Sequence, residues 1–309
     1  MNHAPGRSCP LSYRYEPRSL ARAPDLHAET LLIAGGIYGN LEALTALHVL
    51  AAAEPGGATV VCNGDFHWFD IDAAAFAEVN RLVLAHPALR GNVETELASP
   101  ENDAGCGCAY PGWVGDAEVE RSNAILRQLA GIARRDAAAT TDLARLPMTL
   151  VAEVGGERVG IVHGDAASLA GWDCSQKALR DTPERATRQI DEAGVRVLAT
   201  SHTCLPLLAG FSLPRGRAVL ANNGAAGMPN FAGTQFGIVT RVSVRPAGER
   251  LYGTTAGGLF IDALALRYDH DAWLKEFARW WPLGSAAHLS YHRRIVAGPD
   301  YLPAQAMRA

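Results

Sequence analysis

Long apolar runs and blocks of like charge are both absent from this 309-residue sequence. Because no stretch of about 18 uncharged apolar residues occurs, a membrane-spanning helix is excluded. The 28 lysines and arginines nearly balance 32 aspartates and glutamates, which gives a net charge of −4 with both signs interspersed along the chain. A broad electrostatic surface for nucleic acid or anionic lipid is therefore not expected, and we predict neither a nucleic-acid polymer nor a membrane as partner.

Cysteine is also sparse: there are six residues, and four of them are isolated in the sequence. This excludes the dense disulfide framework that is typical of small secreted domains. Residues 1–26 contain prolines and arginines but no apolar core of a secretory signal, and we predict that residues 1–28 form a loose N-terminal arm. The reducing cytoplasm is the expected compartment.

Apolar residues are plentiful enough for a large core, since 48% of the chain is hydrophobic and 19% is charged. Short apolar runs at 30–34, 58–62 and 88–89 each lead into a turn that contains glycine. Helical spacing follows the first run over 40–53 and the second over 72–85. Three consecutive strand-loop-helix units predict an α/β protein with a parallel core sheet.

The rest of the chain continues this mixed pattern without a linker or a break in composition. A functional or mobile loop is expected over 98–115. Helices are expected over 116–135 and 175–193, and strands over 148–154, 158–163, 196–200, 205–219 and 236–268. We predict one domain over 29–270, with a tryptophan-rich helical extension over 271–309 that packs on the same domain rather than binding a ligand.

Polar side chains follow four of the apolar runs, where each strand is predicted to end. They are Asp65, Asn92, His163 and His202. Each of them alone is more often a turn former or a hydrogen-bonded core residue than a ligand. Together, a carboxylate, an amide oxygen and two imidazoles form a set that suits Mn²⁺, Fe²⁺, Ni²⁺ or Zn²⁺. The sequence therefore predicts a divalent metal site at the carboxyl ends of the strands.

Six short motifs occur in an order that is typical of one family. They are GGIYGNLEAL (35–44), GD (64–65), RGNVE (90–94), VHGD (162–165), SHTC (201–204) and NNGAAGMPN (222–230). From about 31 to 268 the sequence resembles the calcineurin-like metallophosphoesterases, in particular their compact bacterial branch. The resemblance implies an αββα sandwich of two mixed sheets flanked by helices, with a dinuclear metal centre at the strand ends.

The sequence departs from the family pattern at one of the two metal positions. Gly36 and Tyr38 stand where the family has its first Asp and His, and Cys204 stands where it has the last His of G-H-T-H. By the same resemblance, the other position keeps its full ligand set: Asp65, Asn92, His163 and His202. Val93 stands where the family has the His that assists the leaving group. The chain thus resembles a divergent branch with an incomplete site, which implies one divalent ion per chain.

The resemblance implies a metal-dependent hydrolase of a small phosphomonoester or phosphodiester, with a metal-bound hydroxide as the nucleophile. The four metal ligands are then also its catalytic residues. The alternative is a catalytically silent module that binds a metal or a phosphorylated ligand for regulation. Glycine and valine cannot bind a metal or transfer a proton, which favours the alternative, whereas the complete ligand set favours the enzyme.

Several neighbours of this site have two interpretations each. Tyr38 and Cys204 either bind a softer or more oxidised ion, or pack as ordinary residues, and we favour packing. Cys106 and Cys108 lie in a glycine-rich loop that either folds over the metal pocket or forms a tight turn.

Further candidates come from positions near the motifs. His67 is expected on the pocket rim, as a proton donor in place of Val93 or as an exposed loop residue. Asn223 and Gly224 stand where the family presents backbone near the phosphate, so they are either substrate-binding residues or a plain turn.

Overall fold

A computed structural model describes residues 4–99 and 104–308, which form one six-stranded and one seven-stranded sheet. Two 3-10 turns, Leu11–Tyr13 and Pro17–Leu20, come first. The strands are β1 (Leu26–Ala28), β2 (Thr30–Ala34), β3 (Thr59–Asn63), β4 (Ala88–Leu89), β5 (Thr149–Val154), β6 (Glu157–Val162), β7 (Val197–Thr200), β8 (Pro206–Leu213), β9 (Gly216–Asn223), β10 (Gly237–Ser243), β11 (Tyr252–Ala256), β12 (Leu259–Leu266) and β13 (Met307–Arg308). The helices are α1 (Leu41–Ala53), α2 (Ala73–Val83), α3 (Asn92–Ala98), α4 (Asp116–Ala133), α5 (Ala137–Arg145), α6 (Gln176–Asp181), α7 (Pro183–Ala193), α8 (His270–Trp280), α9 (Ala286–Ala297) and α10 (Pro303–Ala306).

The six-stranded sheet has the order β11-β12-β10-β2-β3-β4. Strands β2, β3 and β4 are parallel, with Leu32 opposite Val60 and Cys62 opposite Ala88. Strands β10, β12 and β11 extend the sheet in antiparallel pairs, so the sheet is mixed. The parallel core predicted from the first three apolar runs is confirmed.

The seven-stranded sheet has the order β1-β5-β6-β7-β9-β8-β13. Strands β5 and β6 form the predicted hairpin around Gly155 and Gly156, whose φ angles of +57° and +81° suit a two-residue turn between antiparallel strands. Strand β7 then pairs in parallel with both β6 and β9. This sheet is mixed as well, which confirms the predicted pair of mixed sheets.

Apolar side chains of the two sheets pack face to face and form the central core. Leu31 of β2, Val61 of β3 and Val159 of β6 belong to the same buried cluster. Successive side chains of a strand point to opposite faces, so Leu32 packs on the other side of its sheet with Leu44 of α1. The result is the predicted sandwich, with helices outside both sheets.

The N-terminal residues are held in the fold, so the prediction of a loose arm is wrong for residues 4–28. Strand β1 pairs in parallel with β5, and Tyr13 and Leu20 are completely buried. The Asp25 amide donates to the Val151 carbonyl at 2.7 Å, and the Val151 amide donates to Asp25 Oδ2 at 2.8 Å. Single apolar residues between prolines carry no periodic signal, although each of them fills a pocket in the core.

Two helical regions differ from the prediction. The helix expected over 175–193 is two helices, α6 and α7, because Pro183 lacks the amide hydrogen that a continuous helix needs and instead begins α7. Helices α3 and α5 were not predicted. Within residues 4–99 and 104–308, no helix has both the length and the apolar character needed to cross a membrane. The domain boundaries at residues 28 and 270 stay predictions.

Candidate metal centre

The predicted ligands lie where four strands end, two in each sheet. Asp65 and Asn92 follow β3 and β4, which are neighbours in the six-stranded sheet. His163 and His202 follow β6 and β7, which are parallel neighbours in the seven-stranded sheet. The site therefore forms between the two sheets, since each contributes the carboxyl ends of a parallel pair.

Two glycines allow the loops after β3 and β4 to approach each other closely. A Cβ on Gly91 would lie 2.2 Å from Asp65 Oδ1, and one on Gly64 would lie 2.6 Å from the Gly91 nitrogen. Asp65 itself has a φ of +50°, in the left-handed region that few residues other than glycine adopt. Tyr38 and Cys204 also have positive φ, so backbone strain concentrates at this site, as is common at functional sites.

Three buried ligand atoms converge at a spacing that suits a metal ion. Asp65 Oδ2 lies 3.2 Å from His163 Nε2, which lies 3.3 Å from His202 Nδ1, and all three atoms lie within 4.8 Å of one another. Two ligands at tetrahedral positions about 2.0–2.1 Å from a zinc-like ion are about 3.3 Å apart. The two measured separations agree with that value.

The remaining hydrogen bonds of the two histidines and Asn92 point away from the cluster, so within the part of the chain that the structure describes the inward-facing atoms of Asp65, His163 and His202 meet only one another. His163 Nδ1 donates to the Asn63 carbonyl at 2.9 Å, and His202 Nε2 donates to the Cys108 carbonyl at 3.1 Å. Such outer hydrogen bonds fix the ring orientation and the tautomer of a metal-binding histidine. Asn92 Nδ2 donates to the Cys106 carbonyl at 2.9 Å, whereas its buried Oδ1 has no hydrogen-bond partner among the described residues. The donor set therefore fits a divalent ion.

The electrostatics of the cluster also favour a cation. Burial by itself raises the pKa of Asp65, but the neighbouring His163 outweighs it and lowers the pKa, so the carboxyl is ionised. For His163, burial lowers the pKa and the Asp65 carboxylate more than reverses this. Burial and His163 lower the pKa of His202 to about 4, so His202 is neutral at neutral pH. An incoming ion would displace the His163 proton and take over the pairing with Asp65.

Glu94 positions the loop that carries Asp65. It is completely buried and accepts hydrogen bonds from the amides of Asp65 and Gly91, both at 2.8 Å, and from those of Phe66 and His67 at 3.0 and 3.2 Å. Sequence reasoning assigned no role to Glu94, although it lies in the RGNVE motif. A buried carboxylate with four amide donors holds the turn in one geometry.

Tyr38 packs between Gly36 and Cys204 beside the cavity. Its hydroxyl lies 2.9 Å from Cys204 Sγ, and burial raises the pKa of both groups, so both are neutral. A Cβ built on Gly36 would lie 2.8 Å from the Tyr38 ring. The Tyr38 ring occupies the space that a side chain at position 36 would need. Glycine at position 36 and tyrosine at position 38 therefore depend on each other.

The cysteine loop contacts the ligands through two carbonyls and through the Cys108 thiol, which lies 3.6 Å from Asn92 Nδ2. The Cys106 and Cys108 carbonyls accept the hydrogen bonds from Asn92 and His202, and both thiols are buried and free. Tyr13, from the N-terminal segment, donates to Glu96 and packs against Gly107, where a Cβ would lie 2.3 Å from the Tyr13 hydroxyl. The N-terminal segment thus holds the loop against the metal centre.

Glu96 is expected to make stability depend on pH. Burial raises its pKa from 4.5 to about 7, so between these values the folded protein binds more protons than the unfolded chain and stability falls as pH rises. Asp165, with a pKa raised by burial to about 6, acts in the same direction over a lower range. Glu96→Gln should flatten the decline in Tm from pH 5 to 8 and raise Tm at pH 8. The exposed Glu120→Gln is the control, and an unchanged slope in Glu96→Gln would contradict the assignment.

A cavity of about 270 Å³ opens at the centre, and Asp65, Asn92 and His202 are in its wall. Five aromatic side chains also line it, namely Tyr38, Trp68, Tyr110, Trp172 and Tyr291, and so does Glu118. Arg294 also lines the cavity. Tyr291 and Arg294 belong to α9, so the C-terminal extension contributes to the pocket, contrary to the prediction that it only packs. No signal short of the tertiary fold marks these two residues.

The structure corrects the predictions for three other residues. His67 is neither exposed nor on the rim: it is fully buried, its Nδ1 lies 2.5 Å from Asp70 Oδ2, and its ring stacks on Phe76. Asn223 and Gly224 do not line the cavity. Asn223 Nδ2 donates to the carbonyls of Gly35 at 2.9 Å and Ile238 at 3.0 Å, and so ties the two sheets together behind the site.

Two known structures have a similar fold over most of their chains. A metallophosphoesterase from Sphaerobacter thermophilus is 16% identical, with 87% of this chain and 100% of that chain covered and a TM-score of 0.53. A hypothetical protein from Pyrococcus horikoshii is 16% identical, with coverage of 88% and 99% and a TM-score of 0.59. No protein-family model and no curated protein matches the chain. By its likeness to these structures, the chain therefore has the metallophosphoesterase fold.

Proposed function

We propose that this protein is a metal-dependent phosphoester hydrolase that holds one divalent ion through Asp65, Asn92, His163 and His202. The observation that carries the proposal is the convergence of three buried ligand atoms, at separations of 3.2 and 3.3 Å, beside a cavity. The outer hydrogen bonds of both imidazoles support it, because they leave the inward nitrogens to an ion.

The bound ion would supply an acidified water and polarise a phosphoryl oxygen. The chain's own residues hold the ligands in place: Glu94 fixes the Asp65 turn, and the Cys106 and Cys108 carbonyls orient Asn92 and His202. Val93 lines the cavity and has no proton to give to a leaving group. The site is therefore suited to esters whose leaving group departs without protonation.

The cavity supports a small substrate. Its volume of about 270 Å³ is near the lower end for ligand pockets, and five aromatic side chains are in its wall. A small phosphomonoester or phosphodiester is the substrate that we propose. All six cysteines are free, which supports a reducing compartment such as the cytoplasm.

Metal analysis and a leaving-group series test this proposal together. We expect about one tightly held ion per chain, and hydrolysis of an aryl phosphate at least ~100-fold faster than that of an alkyl phosphate, because position 93 cannot protonate the leaving oxygen. The rate should disappear on chelation and return on adding the ion. A protein that holds an ion but shows no turnover above the metal-free background with either ester would be a silent binding module. A protein that holds no ion would rule out the metal centre.

A further inference from the structure

Arg294 on α9 lines the same cavity as Tyr38 and Cys204. Its Nη2 donates to the Cys204 carbonyl at 2.7 Å, and Nε donates to the Pro229 carbonyl at 3.0 Å. Cys204 Sγ in turn contacts the Tyr38 hydroxyl at 2.9 Å, so the guanidinium is hydrogen-bonded to the backbone of one of the residues that replace the missing ligands. Among the cavity-lining residues that the structure describes, Arg294 is the only lysine or arginine.

Among the described residues Arg294 makes no ion pair, although the Asp65 and Glu118 carboxylates line the same cavity. Over residues 4–99 and 104–308, no carboxylate lies within ion-pair distance of it, and its Nη1 has no hydrogen-bond partner. The deeply buried Arg241, by contrast, pairs with Glu54 at 2.8 Å and with Asp262 at 3.5 Å. A half-buried guanidinium that is anchored through Nε and Nη2 but has a free Nη1 is prepared to bind an anion that enters the cavity.

We propose that Arg294 binds the phosphoryl oxygens of the substrate and supplies the positive charge that a second ion would otherwise provide. This inference rests on the proposed phosphoester hydrolase, because the cavity must admit a phosphoryl group. A guanidinium stays charged at every physiological pH and presents its donors in a plane that matches phosphate. Fixed donors of this kind stabilise the charge that develops on the phosphoryl oxygens during transfer.

Titration with inorganic phosphate, followed by calorimetry, tests the role of Arg294 in the ion-loaded protein. Arg294→Gln keeps a neutral donor for the Cys204 carbonyl but removes the charge, and it should weaken phosphate binding by about 10- to 100-fold without loss of the ion. The matched control is Arg293→Gln, because Arg293 is the preceding residue of the same helix, is exposed and pairs with Asp300 at 2.6 Å. Its phosphate affinity should equal that of the native protein.

Restoring the cation separates binding from a merely structural role. Arg294→Lys should bind phosphate with an affinity between those of the native protein and Arg294→Gln, and added guanidinium ion should partly restore binding in Arg294→Gln. Equal phosphate affinity in the two glutamine variants would overturn the inference, as would a loss that neither lysine nor guanidinium recovers. If the native protein holds no ion, the proposed hydrolase fails, but the same phosphate comparison on the ion-free protein still decides the role of Arg294.

Discussion

Replacing His163 with alanine is expected to remove the bound ion and to lower phosphoester hydrolysis by about 10³-fold or more. His163 Nε2 is the middle atom of the three converging ligand atoms, 3.2 Å from Asp65 and 3.3 Å from His202. Its loss leaves three side-chain ligands, Asp65, Asn92 and His202. Because an ion contributes several kcal/mol of charge stabilisation in the transition state, its release accounts for a rate loss of this size.

His270→Ala provides a matched control for this variant. His270 is also buried and also bonds a backbone carbonyl, that of Ile295 at 2.7 Å, but it does not line the cavity. Ions per chain, hydrolysis rate and the rise in Tm on adding the ion should be measured for both variants. His270→Ala should lose stability and keep its ion, whereas His163→Ala should show no ion-dependent rise in Tm. A normal ion content in His163→Ala would remove His163 from the ligand set.

The strands of the core were predictable because their signal is local. The run at 30–34 matches β2, that at 88–89 matches β4, and the glycine pair at 155–156 marks the hairpin. Residues 4–28 carry no such pattern, because isolated apolar residues such as Tyr13 and Leu20 are buried by distant parts of the chain. Packing against residues far along the chain decides where Tyr13 and Leu20 lie. Sequence periodicity reports only local structure and does not predict such contacts.

The same distinction explains which parts of the site were found. The ligands were visible because each follows a strand, and strand ends collect at one edge. The groups that orient these ligands could not be found in the same way. The Cys106 and Cys108 carbonyls accept hydrogen bonds from Asn92 and His202, and every residue has a carbonyl. Arg294 reaches the cavity from a helix about 90 residues beyond Cys204, and only the tertiary fold brings the two together.

His67 shows how a backbone turn reverses a prediction. Two residues past a ligand, a position beside the pocket is expected, but the Glu94 carboxylate holds the His67 amide and the ring lies fully inside the core. His67 Nδ1 then meets Asp70, and its Nε2 lies 3.1 Å from Asn80 Oδ1 of α2. A proton donor in place of Val93 is therefore not supplied by this residue.

Restoring the family pattern with Gly36→Asp, Tyr38→His and Cys204→His should convert the site from one ion to two. The three changes depend on one another, because a Cβ at position 36 lies 2.8 Å from the Tyr38 ring and Tyr38 contacts Cys204 at 2.9 Å. Gly36→Asp alone should lower Tm and bind no second ion, both because of this contact and because Gly36 has a φ of +66°. The triple variant relieves the contact and supplies three new ligands.

The rebuilt site should also hydrolyse an aryl phosphate about 100-fold faster, since a second ion clamps the reacting phosphoryl group. Ions per chain and rate are measured for the triple variant, for Gly36→Asp and for the native protein. In the triple background the second ion supplies the charge assigned to Arg294, so Arg294→Gln should weaken phosphate binding less than it does in the native protein. Two ions with an unchanged penalty for Arg294→Gln would show that the guanidinium and the second ion act at separate places.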